Sequence, residues 1–199
     1  MTHPLVARAA QGQLPPWAEM GEKRRRHIER VAGLLEDWAI AARLPAEERT
    51  RWVAAGYLHD ALKEKPEAEL RALLPDPERD LPEALLHGPA VAVRLRQEGV
   101  EDEELLMALA YHTLGHPELG RTGCALYAAD FLEPGRDLAN EWRAGLRARM
   151  PGEMADVAKE IVAARIGFLV ERGRPLRWET VAFWNRMAEG QGWAGGSEV

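Results

Sequence analysis

Histidine and aspartate side chains recur along this chain at positions that could bind metal ions. The densest group is residues 57–63 (YLHDALK), where His59 and Asp60 are adjacent and Lys63 follows closely. Neighbouring residues on a helix differ by about 100° in direction, so His59 and Asp60 can converge on one ion. Lys63 lies four residues after His59 and projects over the same face. Together the three side chains indicate a site for a metal ion and a phosphate.

Two further histidines are predicted on the inward faces of helices. His27 begins an apolar stripe at helical spacing that ends at Trp38, in a helix expected over about residues 17–43. His112 closes a similar stripe that includes Leu105 and Leu109, in a helix expected over residues 101–112. His59 falls on the inward face of a third helix, expected over about residues 46–63. Three imidazoles from three helices would therefore face one core.

His87 and Asp130 extend the candidate group. His87 precedes Gly88 and Pro89, which suit the cap and first position of a helix, so we place His87 at a helix mouth. Asp130 follows two alanines and precedes Phe131 in a helix expected over residues 124–132. A carboxylate in such apolar surroundings is costly unless a cation neutralises it.

Any one of these histidines could instead be a core residue that a backbone carbonyl satisfies. Together they are harder to bury without metal, because unpaired ionisable groups destabilise a core. Our hypothesis is a two-metal centre in which one ion is bound by His27, His59, Asp60 and Asp130 and a second by His87 and His112, with Asp60 bridging. Imidazole and carboxylate donors suit iron, manganese, cobalt or zinc, and the lack of thiolate ligands disfavours a structural zinc site.

Composition sets the context for this centre. The chain has 199 residues, a formal charge of −6 and one cysteine, Cys124. The negative charge argues against a nucleic-acid partner, and no apolar run is long enough for a membrane span. A single cysteine fits a reducing, cytoplasmic setting.

We expect one all-α domain over residues 17–189, after an N-terminal lead (1–16) that is irregular apart from a short helix, and before a glycine-rich tail (190–199). The small residues 54–56 would let a neighbouring helix approach closely.

The order of these residues resembles the HD-domain phosphohydrolases. Within them it is similar to the YqeK family of symmetrical diadenosine-tetraphosphate hydrolases. The stretches that carry the resemblance are RRRH (24–27), LHDALK (58–63), LHGP (86–89), YHTLG (111–115) and YAADFLEPGR (127–136). An HD pair alone is unspecific, whereas the last two segments at this spacing are much more so. Family members often carry arginine at the position of His116 and lysine at that of Cys124, which leaves the nucleotide preference open.

The resemblance implies an HD-type helical bundle that cleaves diadenosine tetraphosphate into two ADP by attack of metal-bound hydroxide. It implies two divalent ions with iron as the native metal, and manganese, cobalt or zinc as alternatives. We assign catalytic roles to Asp60, which holds the ions, and Lys63, which stabilises charge on the phosphoryl oxygens. The expected substrate contacts are Arg24, Thr113, Gly115, His116 and Arg136.

Several alternatives stay open. Lys63 could be a surface lysine near a helix end, and Arg136 could form only a helix-terminal ion pair with Glu133. A nucleotidase or another nucleotide phosphohydrolase could use the same scaffold, and some HD-type sites activate oxygen as di-iron oxygenases. A non-catalytic regulatory module would not need the full set of ligands. A homodimer through the C-terminal helices is also compatible with the sequence.

Overall fold

The computed structural model describes residues 2–135 and 140–190. Within those ranges the chain forms helices and no strands, which confirms the all-α prediction. The helices are α1 Pro4–Ala9, α2 Glu22–Ala41, α3 Ala46–Leu58, α4 Glu67–Leu73, α5 Glu83–Gln97, α6 Glu103–Tyr111, α7 Arg121–Leu132, α8 Asn140–Arg149, α9 Met154–Glu171 and α10 Trp178–Ala188, with a 3₁₀ turn at Glu78–Asp80. None of the helices in these ranges combines the length and apolarity needed to cross a membrane.

Helices α2 and α3 pack against each other at very short range. A Cβ atom added to Gly56 would lie 2.6 Å from the Cα of Ala32. Because that neighbour is backbone, the two helices could not keep this distance with a larger residue at position 56. The prediction that residues 54–56 admit a close helix is therefore confirmed, and the contact brings His27 of α2 towards the end of α3.

The N-terminal lead contributes a helix to the same core. In α1, Leu5, Val6 and Ala9 are buried, and the helix packs against α3. Nδ1 of His3 accepts a hydrogen bond from the amide of Leu5 at 3.2 Å and caps the first turn. The short helix expected before Pro15 is thus present. The domain boundary at residue 16 stays a prediction, and the tail beyond Gly190 lies outside the described residues.

Helix α3 ends at Leu58, five residues earlier than expected. The carbonyl of Gly56 accepts a hydrogen bond from Nδ1 of His59 at 2.8 Å. An uninterrupted helix would offer that carbonyl to the amide of residue 60. Tighter turns follow, in which Ala61 and Lys63 donate to carbonyls three residues back. The helical register assumed for Asp60 and Lys63 is therefore wrong, although both lie in the turns that directly follow His59.

Helix α5 contradicts the placement of His87 at a helix mouth. The helix begins at Glu83 after Pro82 and continues through Pro89, which costs one backbone hydrogen bond. Gly88 is not a cap: a Cβ atom there would lie 2.8 Å from the carbonyl oxygens of both Leu109 and Ala110. Glycine lets α5 approach α6 closely, and His87, in the second turn of α5, lies next to the end of α6.

Helix α10 covers the loop that follows α6. The hydroxyl of Thr180 donates to the carbonyl of Leu114 at 2.9 Å, and a guanidinium nitrogen of Arg186 donates to the carbonyl of Pro117. Gly115 has φ +74°, and a Cβ atom there would collide with the ring of Phe183. Only glycine fits both the backbone conformation and the contact. The loop after His112 is therefore fixed by the C-terminal helix.

We expect Gly56→Ala to lower the free energy of unfolding by about 3 kcal/mol, because its methyl group would meet backbone that cannot yield. Gly33→Ala is a matched control in α2, since a Cβ atom there meets nothing within 4 Å. That control should raise the free energy of unfolding by about 0.5 kcal/mol. Urea denaturation followed by circular dichroism measures both changes. Equal effects of the two variants would contradict the close packing of α2 and α3.

Candidate metal centre

Six side chains from five helices and the turns after them converge on one region of the core. The imidazoles come from the second turn of α2 and of α5 and from the residues that end α3 and α6. The carboxylates come from the turn after α3 and from α7. They are His27, His87, His59, His112, Asp60 and Asp130. All but Asp130, which is partly exposed, are buried. The structure thus brings together all the residues that the sequence analysis proposed as metal ligands.

His59 and His112 are oriented by the same local device. Each is the C-cap of its helix, and each places Nδ1 2.8 Å from the carbonyl oxygen three residues before it, that of Gly56 or Leu109. A carbonyl oxygen can only accept, so Nδ1 carries the proton. In the neutral tautomer that this contact selects, the lone pair of each ring is on Nε2, the nitrogen that faces the other cluster residues.

His27 and His87 have charged groups at Nδ1. Oε1 of Glu133 lies 3.3 Å from Nδ1 of His27. The ammonium of Lys63 lies 3.2 Å from Nδ1 of His87 and donates to the carbonyl of Ala84 at 3.1 Å. The outer edges of the four imidazoles therefore meet two neutral carbonyls, one anion and one cation.

Four donors form what we call the first group: Nε2 of His27, Nε2 of His59, Oδ2 of Asp60 and Oδ1 of Asp130. The two nitrogens are 3.2 Å apart, and each is 3.5 Å from Oδ2 of Asp60. Oδ1 of Asp130 lies 3.2 Å from Nε2 of His27 and 4.0 Å from Nε2 of His59. Two imidazole lone pairs and two carboxylates therefore converge on one point.

The second group consists of Asp60, His87 and His112. The Nε2 atoms of His87 and His112 are 3.2 Å apart. Oδ1 of Asp60 lies 3.2 Å from the first and 3.7 Å from the second. Asp60 thus turns one oxygen to each group, which is the arrangement of a bridging carboxylate.

The two groups fit divalent metal ions. Donors bound at about 2.1 Å in an octahedral shell lie about 3.0 Å apart as neighbours and about 4.2 Å apart as opposites. The separations here run from 3.2 to 4.0 Å, so small movements would complete either shell. Imidazole and carboxylate donors without thiolate match iron, manganese, cobalt and zinc. The triad of His27, His59 and Asp60 and the triad of Asp60, His87 and His112 could therefore each hold a metal ion, and Asp130 lies beside the first.

The protonation of the cluster suits metal ligands. Burial lowers the pKa of His59 and that of His87 to about 4, so both rings are neutral near pH 7. Burial alone would raise the pKa of Asp60, but the surrounding imidazoles of His59, His112 and His87 hold it well below its usual value. His59 and His87 are therefore neutral imidazoles and Asp60 is an ionised carboxylate, the forms that bind cations.

Among the proposed substrate contacts, Arg24 and Thr113 reach the centre. Nη1 of Arg24 donates to Oδ2 of Asp60 at 2.5 Å, and the guanidinium is partly exposed. The hydroxyl of Thr113 lies 3.0 Å from Nε2 of His112. Both groups therefore stand beside atoms that would bind metal.

For the other proposed contacts, the structure shows different neighbours. The amide of Gly115 donates to the carbonyl of Tyr111 at 2.8 Å, so it is already used within the chain. The ring of His116 is buried against Tyr111 and Trp178, and its Nδ1 accepts from the amide of Glu118. The substrate roles of Gly115 and His116 stay predictions, and Arg136 lies outside the described residues.

Glu133 and Arg30 belong to the site although the sequence analysis did not assign them to it. Oε2 of Glu133 accepts hydrogen bonds from Nε of Arg30 at 2.5 Å and from the amide of Gly135 at 2.8 Å. Burial would raise the pKa of Glu133, but these two donors lower it below its usual value. The signals were the EPG segment after α7 and the spacing of Arg30, three residues after His27 on α2.

We expect the purified chain to bind two divalent ions and Asp60→Asn to lose both, because its two oxygens serve both groups. His112→Gln should retain one ion, since the first group stays intact. His116→Gln is the matched control and should retain two, because its ring belongs to neither group. Metal content per chain, measured by mass spectrometry after metal loading and desalting, tests this. Two ions in Asp60→Asn would contradict the bridging arrangement.

Comparisons with known proteins agree with this geometry. The HD domain family model matches residues 24–163. A Staphylococcus aureus protein called symmetrical bis(5'-nucleosyl)-tetraphosphatase is 30% identical over 171 residues, which cover 83% of this chain and 84% of the relative. A protein of the same name from Halalkalibacterium halodurans is 27% identical over 161 residues, covering 78% of this chain and 85% of the relative.

The fold has a counterpart among solved structures. A Clostridium acetobutylicum protein, described as a predicted HD superfamily hydrolase involved in NAD metabolism, superposes with a TM-score of 0.76 at 23% identity. The match covers 96% of this chain and 98% of the other. The family match spans all six residues of the cluster, from His27 to Asp130. The chain therefore belongs to the HD domain family and is a phosphohydrolase of the YqeK type.

Proposed function

We propose that this chain hydrolyses diadenosine tetraphosphate symmetrically to two ADP in a two-ion centre. The observation that carries the proposal is the position of Asp60, whose two oxygens each face a separate set of imidazole donors. The relatives named symmetrical bis(5'-nucleosyl)-tetraphosphatase support the same substrate and cleavage. A cytoplasmic location suits the single cysteine, Cys124, which is free and buried.

Divalent ions at the two groups would acidify a bound water and neutralise phosphoryl oxygens, which makes an anionic phosphoanhydride open to hydrolysis. The residues that would hold them are the four members of the first group and the three members of the second, with Asp60 in both. The chain's own part is to keep Asp60 ionised and to leave Nε2 unprotonated on His59 and His112, where Nδ1 donates to a carbonyl. The native metal of our proposal is iron.

Arg24 is the residue best placed to receive the polyphosphate. Its guanidinium is 27% exposed and bonds to Oδ2 of Asp60, a carboxylate oxygen that faces the first group. The planar guanidinium of Arg24 can donate equally well to a phosphate oxygen. Arg24 can therefore exchange Asp60 for substrate without becoming an unpaired buried charge.

Lys63 supplies positive charge from the opposite edge of the site. The carbonyl of Ala84 and the ring of His87 fix its half-buried ammonium. Burial lowers the pKa of Lys63, and the nearby carboxylate of Asp60 opposes that shift. Lys63 would stabilise negative charge on the phosphoryl oxygens, either through the electrostatic field of its ammonium or by direct contact once the ammonium has moved away from His87. ADP is a good leaving group, so the proposal needs no strong general acid.

A homodimer through the C-terminal helices remains part of the proposal. Phe168 on α9 and Trp178 on α10 are exposed large apolar side chains. Burying such groups between two copies would be favourable. Sedimentation velocity of the purified chain distinguishes a dimer from a monomer.

We expect metal-loaded protein to convert diadenosine tetraphosphate to ADP alone, as measured by chromatography of the products. ATP with AMP would show asymmetric cleavage and contradict the proposal. Free phosphate from mononucleotides, with the tetraphosphate untouched, would indicate a nucleotidase. Substrate turnover that requires oxygen would indicate a di-iron oxygenase.

Asp60→Ala should abolish hydrolysis while circular dichroism shows nearly unchanged helix content, because Asp60 lies after α3 and not within it. Hydrolysis at the parental rate would contradict the mechanism.

Arg24→Ala should lower kcat/KM about 10- to 100-fold, the value of one charge-assisted hydrogen bond to substrate. Arg26→Ala is its matched control on α2, because Arg26 is exposed and pairs with Glu22. The control should retain the parental kcat/KM. Equal losses in both variants would indicate a nonspecific effect of charge.

A further inference from the structure

A buried carboxylate outside both ligand groups contacts the cluster from behind. Glu133 is 3% exposed and follows the last residue of α7. Its two oxygens have separate partners: Oε2 accepts from Arg30 and from the amide of Gly135, and Oε1 lies 3.3 Å from Nδ1 of His27. A carboxylate that only balanced Arg30 would not need to aim its second oxygen at an imidazole.

The surrounding chain is shaped to keep Glu133 in this position. A Cβ atom on Gly135 would collide with the guanidinium of Arg30, so glycine makes room for the arginine over the segment that follows α7. The amide of Gly135 then donates to the same oxygen as Arg30. Glu133 is therefore held by two donors while Oε1 stays available to His27.

The outer contacts make the two ion sites electrostatically unequal. In the first group, His27 has the Glu133 carboxylate behind it, and two carboxylates, those of Asp60 and Asp130, face inward. In the second group, His87 has the Lys63 ammonium behind it, and the one inward carboxylate within the described ranges is that of Asp60, which is shared. Among the described residues, the cations near the first group are Arg24, which approaches from the partly exposed side, and Arg30, which pairs with the other oxygen of Glu133.

We propose that Glu133 is a positioning residue that fixes His27 for metal binding and makes the first group the tighter of the two ion sites. An ionised carboxylate accepts only, so the His27 proton must lie on Nδ1 and the lone pair on Nε2. The same contact makes Nε2 a stronger donor to a cation. The inference rests on the two-ion centre of the proposed function, and its test can fail independently of that function.

The test measures each site alone. His112→Gln leaves only the first group complete, and His27→Gln leaves only the second. Mn²⁺ affinity, measured by electron paramagnetic resonance of the free ion, should be higher in His112→Gln than in His27→Gln. Adding Glu133→Gln should weaken Mn²⁺ binding about 10- to 100-fold in the first background and leave it unchanged in the second. Unchanged affinity in the first background would overturn the proposal.

Arg30→Gln separates positioning from a merely structural role. This variant breaks the same ion pair but keeps the carboxylate next to His27, so at pH 8 Mn²⁺ affinity of the first site should be retained or increased. If Glu133 only supported the fold, Arg30→Gln and Glu133→Gln would weaken Mn²⁺ binding alike, and that result would overturn the proposal. A parental chain that binds no Mn²⁺ would instead overturn the two-ion centre itself. Loss of hydrolysis with intact Mn²⁺ binding would concern the proposed reaction only.

Discussion

The fold depends on keeping one carboxylate ionised inside the core. Asp60 is 5% exposed, and its oxygens are surrounded by imidazoles, with Arg24 as the charged contact. A buried carboxylate is tolerated only where positive charge or hydrogen-bond donors replace water. No single helix can supply that environment, so α2, α3, α5 and α6 must all approach Asp60. The close contacts at Gly56 and Gly88 follow from this requirement, because they bring those helix backbones together.

Helix ends do as much as helix faces to build the centre. His59 and His112 close α3 and α6 by donating from Nδ1 to a carbonyl that the ending helix leaves available. One hydrogen bond thereby ends the helix, satisfies a buried carbonyl and fixes the ring so that its lone pair points inward. The two rings are also in edge-to-face contact, with centroids 5.0 Å apart. The repetition in two helices shows that local backbone chemistry can set the orientation of these rings without a long-range network.

The sequence was sufficient for the parts of the site that periodicity controls. The stripe that includes His27 and the apolar stripe before His112 identified buried imidazoles correctly. The prediction that Gly88 and Pro89 begin a helix after His87 was wrong. Gly88 instead allows close packing of α5 against α6, which local turn rules do not describe. The spacing of apolar residues does not predict the end of α3 either. That helix ends where the His59 ring bonds to the carbonyl of Gly56, and a bond of this kind leaves no signal in the apolar pattern. Glu133 was recognisable only as part of a motif, since its side-chain partners, Arg30 and His27, lie on α2, about a hundred residues away in sequence.

The charges near the centre explain how an acidic chain could receive a polyphosphate. Within the described part of the chain, three carboxylates and three basic side chains contact the centre or its outer edge, namely Asp60, Asp130 and Glu133 with Arg24, Arg30 and Lys63. With neutral imidazoles these charges cancel, so the protein alone offers little net attraction to an anionic substrate. Two divalent ions would make the net charge of the centre strongly positive, whereas the basic residues alone only offset the carboxylates. Metal loading and substrate affinity should therefore be linked, and the rest of the chain is free to carry its net negative charge.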